Sequence, residues 1–344
     1  EPEDLQDIEA HLKGGIPNRD IEAMAEYWEV FPSLKTGLFE PGDREGYSNL
    51  KIEIDDIRKT ITHNNEMTQF AEKISSLFDG WAERNRSLLE GIKPGDKPKE
   101  LIERLAEDLL STFEDVPLID KYDVYQHLME YWTETMQDDV YMLVMDGWKA
   151  NPELIPAELI IGRYFEKEKQ AIEELEHQRD EIIVQREEME EENSGEEGIL
   201  EELKSVTGKI SKAEVTRRIN ETKDDVDFRD ELEILNTYLG VLEHETEASR
   251  KIKAAQNDLS MKVMKKYSTL SEDGVRTLVV DDKWIATLWE EIEGDVVKIS
   301  QELTRRVREL AERYADPLPA FEKEVESLKN KVEEHLKKMG FEWK

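Results

Sequence analysis

The residues best suited to metal binding or proton transfer are six histidines, His11, His63, His127, His177, His244 and His335, scattered along the chain. No His-Glu-x-x-His pair occurs, the spacing that puts two imidazoles one helical turn apart on a zinc ion. Glu174 and His177 form a single Glu-x-x-His, which a carboxylate-bridged di-iron bundle uses twice beside two further glutamates. One copy inside a glutamate-rich helix reads as a solvated face. The absence of cysteine excludes a disulfide frame, a thiolate site and a cysteine nucleophile. There is no Gly-x-Ser-x-Gly elbow, no phosphate-cradling Gly-x-x-x-x-Gly-Lys-Ser/Thr loop and no Gly-x-Gly-x-x-Gly turn after a strand. Catalytic, cofactor-binding and metal roles are therefore assigned to no position. The remaining chemistry is that of surfaces.

The formal net charge is −35 over 344 residues, so the average surface repels nucleic acid and anionic lipid. Between Glu173 and Glu202 fourteen acids stand against Arg179 and Arg186, the pattern of a solvated helix face. Residues 301–344 are balanced, with ten basic and ten acidic side chains. Basic spots at Arg217-Arg218, at Lys262 with Lys265-Lys266, at Arg305-Arg306 with Arg308, and at Lys337-Lys338 are expected to be solvated or paired with acids. Hydrophobic and charged residues each make up 38%, which favours thin, well-solvated helices over a thick core. No run of about 18 apolar residues is present to span a membrane. With no signal peptide and no cysteine, a cytoplasmic location is expected.

The elements that would position such surfaces are mainly α. Residues 1–30 predict two short helices broken at Gly14-Gly15-Ile16-Pro17-Asn18, the second closed by Pro32. Leu38 to Ile54 predicts a small β-hairpin, with Asp55 capping the next helix. Helical periodicity runs through Phe70, Ile74, Leu77, Phe78 and Trp81, and again from Lys99; the aromatic-rich stretch 118–148 is expected to be core. Pro152 and Pro156 mark a boundary, so residues 1–150 form one domain and 151–280 an extended acidic helical region. There Ile172, Leu175, Ile182 and Met189 make a coiled-coil-like seam that ends in a tip at residues 193–198. Further helices are expected over 210–220 and 228–267, and Leu278-Val279-Val280 as a short strand. Residues 281–344 predict an antiparallel helical hairpin, its first helix capped by Asp281 and Asp282. Its second helix carries Phe321, Val325, Leu328, Val332, His335 and Met339 in steps of 4, 3, 4, 3 and 4. These six are the candidate partner-docking residues, with His335 expected to be partly buried in the seam.

Several uncommon strings resemble one family. Gly15-Ile16-Pro17-Asn18-Arg19-Asp20-Ile21, Tyr27-Trp28, Phe31-Pro32-Ser33-Leu34 and Asp43-Arg44-Glu45-Gly46-Tyr47 are similar to the region after the catalytic domain in the methylation subunit of type I restriction–modification systems. So, in the same order, are residues 118–129, Met136-Gln137-Asp138-Asp139, 277–284, 310–314 and Gly340-Phe341-Glu342-Trp343. The resemblance implies an adenine-N6 DNA methyltransferase subunit using S-adenosylmethionine. It implies as partners a specificity subunit, a second methylation subunit and a restriction subunit, with DNA contacted mainly through the complex. That family's Asn-Pro-Pro-Phe/Tyr signature, which grips a flipped adenine, is absent: Asn151-Pro152-Glu153 lacks the second proline and the aromatic. The start at Glu1 fits a piece cut from a longer polypeptide, and 148–158 is shorter than the linker such relatives lead one to expect. The expected role is an assembly region that docks the methylase to the specificity subunit. The competing expectation is a stand-alone acidic regulator or DNA mimic.

Overall fold

A computed structural model describes residues 5–193, 198–205, 208–223, 225–315 and 318–338. The fold is mainly α with one small antiparallel sheet. Helix α1 (Leu5–Lys13) ends at Gly14 and Gly15, whose positive φ values of 77° and 89° are accessible to glycine without strain. The chain then enters β1 (Ile16–Pro17) and the short helices α2 (Asn18–Glu22), α3 (Ala25–Val30) and α4 (Pro32–Leu38). Pro32 does not simply stop a helix; it starts α4, where a missing N–H costs nothing. Strands β2 (Phe39–Pro41) and β3 (Tyr47–Leu50) pair antiparallel with Phe39 opposite Leu50, as the hairpin predicts, and β1 adds on the other side of β3. The alternation after Leu50 does not extend the strand. Ile54–Asp56 instead makes a 3₁₀ turn into α5 (Ile57–Thr62), with Asp56 rather than Asp55 at the cap.

Helix α6 (Asn65–Glu90) is capped by Asn64, whose side-chain oxygen accepts from the Glu66 N–H at 2.8 Å. It buries Phe70, Ile74, Phe78 and Trp81 on one face. After α7 (Pro98–Thr112), Asp120 caps α8 (Lys121–Tyr131) in the same manner. A π-helical stretch, Trp132–Met136, leads into α9 (Gln137–Asp146). Gly147, with φ 72°, ends that helix.

The chain divides into two compact units, Glu1–Gly147 with Val280–Lys344 and Trp148–Val279. The second contains α10 (Ala157–Tyr164), α11 (Glu166–Glu192), α12 (Lys212–Thr222), α13 (Arg229–Tyr267) and α14 (Glu272–Arg276). Its backbone is the α11–α13 pair. Glu168 meets Lys262, Glu176 meets Gln256, Arg186 meets Glu245 and Glu190 meets Tyr238, so the partners descend along α13 as α11 ascends. This is an antiparallel coiled-coil-like pair. Ile172 of the expected seam is buried, and Leu175, Ile182 and Met189 are half-buried. Past α11 a small core gathers Leu200, Leu203, Val215, Leu235 and Tyr238, holding α12 against α13. Of the expected tip, residues 194–197 lie outside the described residues.

Leu278-Val279-Val280 is not a strand. These residues are fully buried within a π-helical stretch, Thr277–Ile285, because a run of three apolar residues has no period to distinguish strand from helix. Asp281 and Asp282 lie inside that stretch rather than at a cap. It continues into α15 (Ala286–Tyr314), which packs on α5, α6 and α8 through Leu288, Ile292, Val296, Ile299, Leu303 and Val307. Each such side chain contributes roughly 1.5–3 kcal/mol when fully buried. The last helix, α16 (Leu318–Lys338), follows α15, but among the described residues it packs mainly with α1 rather than along α15. The physical reason is that the apolar stripe of α15 is already occupied by the first unit's core. Residues 281–314 are thus part of that core rather than of a separate hairpin. Among the described residues no helix is long and apolar enough to cross a membrane.

Candidate docking interface

Helix α16 presents three of the six seam residues in one exposed stripe: Val325 is 64% exposed, Leu328 51% and Val332 56%. The side chain of Phe321, and Met339, lie outside the described residues. His335 is exposed rather than partly buried, because among the described residues no helix covers α16 along this edge. An apolar stripe open at heptad spacing has the geometry into which a second helix packs.

Sequence reasoning missed the neighbour of this stripe. Helix α1 packs with its polar side inward: Asp7 is fully buried beside Ala10, while Leu5, Ile8 and Leu12 face outward at spacings of 3 and 4. The inversion is stabilised by α15. The Tyr314 hydroxyl lies 2.5 Å from Asp7 Oδ1 and 2.7 Å from Asp20 Oδ2. Arg313 Nη2 donates to Asp7 Oδ2 at 3.2 Å, and His11 Nε2 stands 3.8 Å from Asp7 Oδ1. Burial above all, then Asp7 and Asp20, holds the Tyr314 phenol above its ordinary pKa, so it stays protonated and able to donate. Since α1 and α16 touch, the two apolar stripes belong to one end of the first unit. The i, i+3, i+7 pattern of Leu5, Ile8 and Leu12 was the available signal; which way it points was not.

The uncommon strings at 118–139, 281–284 and 310–314 prove to be joints of the first unit. Lys283 Nζ lies 2.8 and 2.6 Å from the two Asp139 carboxylate oxygens, and the Trp284 indole N–H donates to Asp139 Oδ2 at 2.9 Å. Burial pushes the Asp139 carboxyl up, opposed by the Lys283 ammonium and the Trp284 N–H. His127 Nε2 sits 2.7 Å from Asp295 Oδ2, and Arg86 donates to Asp281 at 2.6 Å. These polar groups are consumed in tying α6, α8 and α9 to the helical run 281–314.

Elsewhere the charged spots are largely paired within the chain. Arg218 meets Glu231 at 2.6 Å, Lys262 meets Asp258 and Glu168 at 2.9 and 3.2 Å, and Arg305 meets Glu302 and Glu309 at 2.5 Å each. Arg306 bonds Glu302 at 2.9 Å, whereas Arg308 lines an open groove with Arg58 and Thr304. His177 stands 3.6 Å from Glu181, and Glu174 accepts from Gln178, so the Glu-x-x-His pair is not drawn together. Among the described residues no three His, Asp or Glu side chains gather as a metal site. Among the described residues the sheet consists of three short antiparallel strands. Comparisons with family models, with curated proteins and with solved structures each gave no match.

Proposed function

We propose that this chain is the assembly region of a type I restriction–modification methylation subunit, docking the methylase to the specificity subunit through α16. The observation that supports the reading is the unpartnered stripe Val325, Leu328 and Val332, on a helix whose only extensive packing among the described residues is with α1. The resemblance of the uncommon strings supplies the identity of the partner. On this reading adenine-N6 methylation with S-adenosylmethionine belongs to a catalytic domain outside these residues. The second methylation subunit and the restriction subunit join the same assembly, and DNA is met mainly through it.

The informative test spares α15, since removing 281–344 would take away core residues such as Leu303 and Val307. Val325→Asp with Leu328→Asp is expected to leave the melting temperature unchanged, both side chains being exposed, and to abolish co-purification with the co-expressed specificity subunit. Each apolar side chain buried at such a joint contributes about 1.5–3 kcal/mol, and a carboxylate placed there adds a desolvation penalty. Undiminished co-purification would overturn the docking role of α16.

A further inference from the structure

We infer that the occupant of the α16 stripe is an amphipathic helix whose apolar edge is flanked by Asp and Glu. The inference rests on the reading of α16 as the docking helix and adds the chemistry of its partner. In the heptad set by Val325, Leu328, Val332 and His335, the positions bordering the seam are Glu324, Lys331 and Lys338 on one side and Glu322, Lys329 and Leu336 on the other. From Lys329 to Lys338 the borders therefore carry three lysines and no acid. The glutamates of the same stretch, Glu333 and Glu334, lie outside the borders, as does Glu326 one heptad earlier, and the position farthest from the seam holds Asn330 and Lys337. Bordering positions are where paired helices exchange charge and select partners.

This arrangement runs against the rest of the molecule. The chain has 82 acids to 47 basic residues, and carboxylates neutralise Lys262, Arg305 and Arg306 along their own helices or from neighbours. Lys329, Lys331 and Lys338 are exposed, and none is in an ion pair among the described residues. Acid is abundant in the chain, yet from position 329 onward it is withheld from this edge. The overall charge of −35 does not forbid an acidic partner, because fields beyond about 8 Å are screened at physiological salt while bordering pairs lie in contact. The two borders also change sign along the helix, acidic at positions 322 and 324 and basic from 329 onward. The partner helix therefore needs its acids opposite the C-terminal half of α16, which selects one direction of approach.

The probes are two labelled helical peptides with the same Val/Leu seam, one bearing Glu at the bordering positions and the other Lys, titrated against the full chain by fluorescence anisotropy. The Glu peptide is expected to bind about tenfold tighter at low salt, with the advantage shrinking at high salt. Lys329→Glu with Lys331→Glu and Lys338→Glu is expected to reverse the preference, and Val325→Asp to abolish binding of both. Equal affinities, a preference for the Lys peptide, binding of neither, or occupation of the stripe by a second copy of this chain would each overturn the inference. If the specificity subunit is lost on Val325→Asp with Leu328→Asp while the two peptides bind alike, the docking role stands and the charge selection falls. If the specificity subunit is retained by that variant, the docking role itself falls.

Discussion

The two units solve the same problem, stabilising a strongly acidic helical chain, in different ways. In the first, charge is drawn into the interior in matched sets: Asp139 with Lys283 and Trp284, Asp7 with Tyr314 and Arg313, His127 with Asp295. In the second, the α11–α13 pair buries a thin seam and leaves more of its charges outside: Glu168–Lys262 and Lys251–Glu247 are open to solvent, and Arg186–Glu245 is half-buried. The difference teaches where single residues matter. A buried pair fails badly when one member is removed, whereas exposed pairs contribute little each. The first unit is therefore sensitive to point changes and the second to ionic conditions.

The largest effect is expected from Asp139→Ala, which strips the two-oxygen partner from a Lys283 side chain only 11% exposed. A loss of about 3 kcal/mol is expected, measured as a lowered denaturant midpoint, with hydrogen exchange of α11 and α13 unchanged. Because burial raises the Asp139 carboxyl, its ionisation is not itself the source of that stability. An equal loss on removing an exposed pair such as Lys251–Glu247 would break the contrast between the units.

A smaller effect separates the units by salt. Between Glu173 and Glu202 fourteen acids face only Arg179 and Arg186, so repulsion outweighs the few cross-helix pairs. Added salt screens it, and amide exchange over 173–192 is expected to slow roughly twofold to fivefold, with α6 and α15 unmoved. Faster exchange at high salt would show that the cross-helix pairs win instead.

The smallest effect concerns Glu302, held down to about 2 by hydrogen bonds from Arg305 and Arg306. A depressed carboxylate stabilises the fold above its ordinary value of 4.5, and the contribution is lost as the pH falls from there through about 2. Glu302→Gln is expected to flatten the acid limb of the stability curve, by well under about 1 kcal/mol because the side chain is more than a third exposed. An unchanged acid limb would remove Glu302 from the account.

Much of the helical skeleton was legible because it rests on local signals. Phe70 to Trp81 keep the helical face their spacing predicts, whereas the caps expected at Asp55 and at Asp281-Asp282 are not the ones used; Asn64 and Asp120 cap their helices instead. The spacing of Val325, Leu328 and Val332 on one face of α16 was legible for the same reason, as a period of 3.5. Its surroundings were not. The outward turn of Leu5, Ile8 and Leu12 depends on Asp7 finding Tyr314 and Arg313, some three hundred positions away, and no local pattern encodes that meeting.

The sequence by itself thus determined that the chain is mainly helical and, for the longer helices, which faces are apolar, since those follow from backbone preference and periodicity. Only the tertiary structure decided which apolar faces are spent. The stripe of α15 is buried by α5, α6 and α8, while the equally regular stripe of α16 is left open. A stripe states that a helix needs a partner, but competition for the same core surface, settled by long-range packing and buried pairs, decides which helix obtains one.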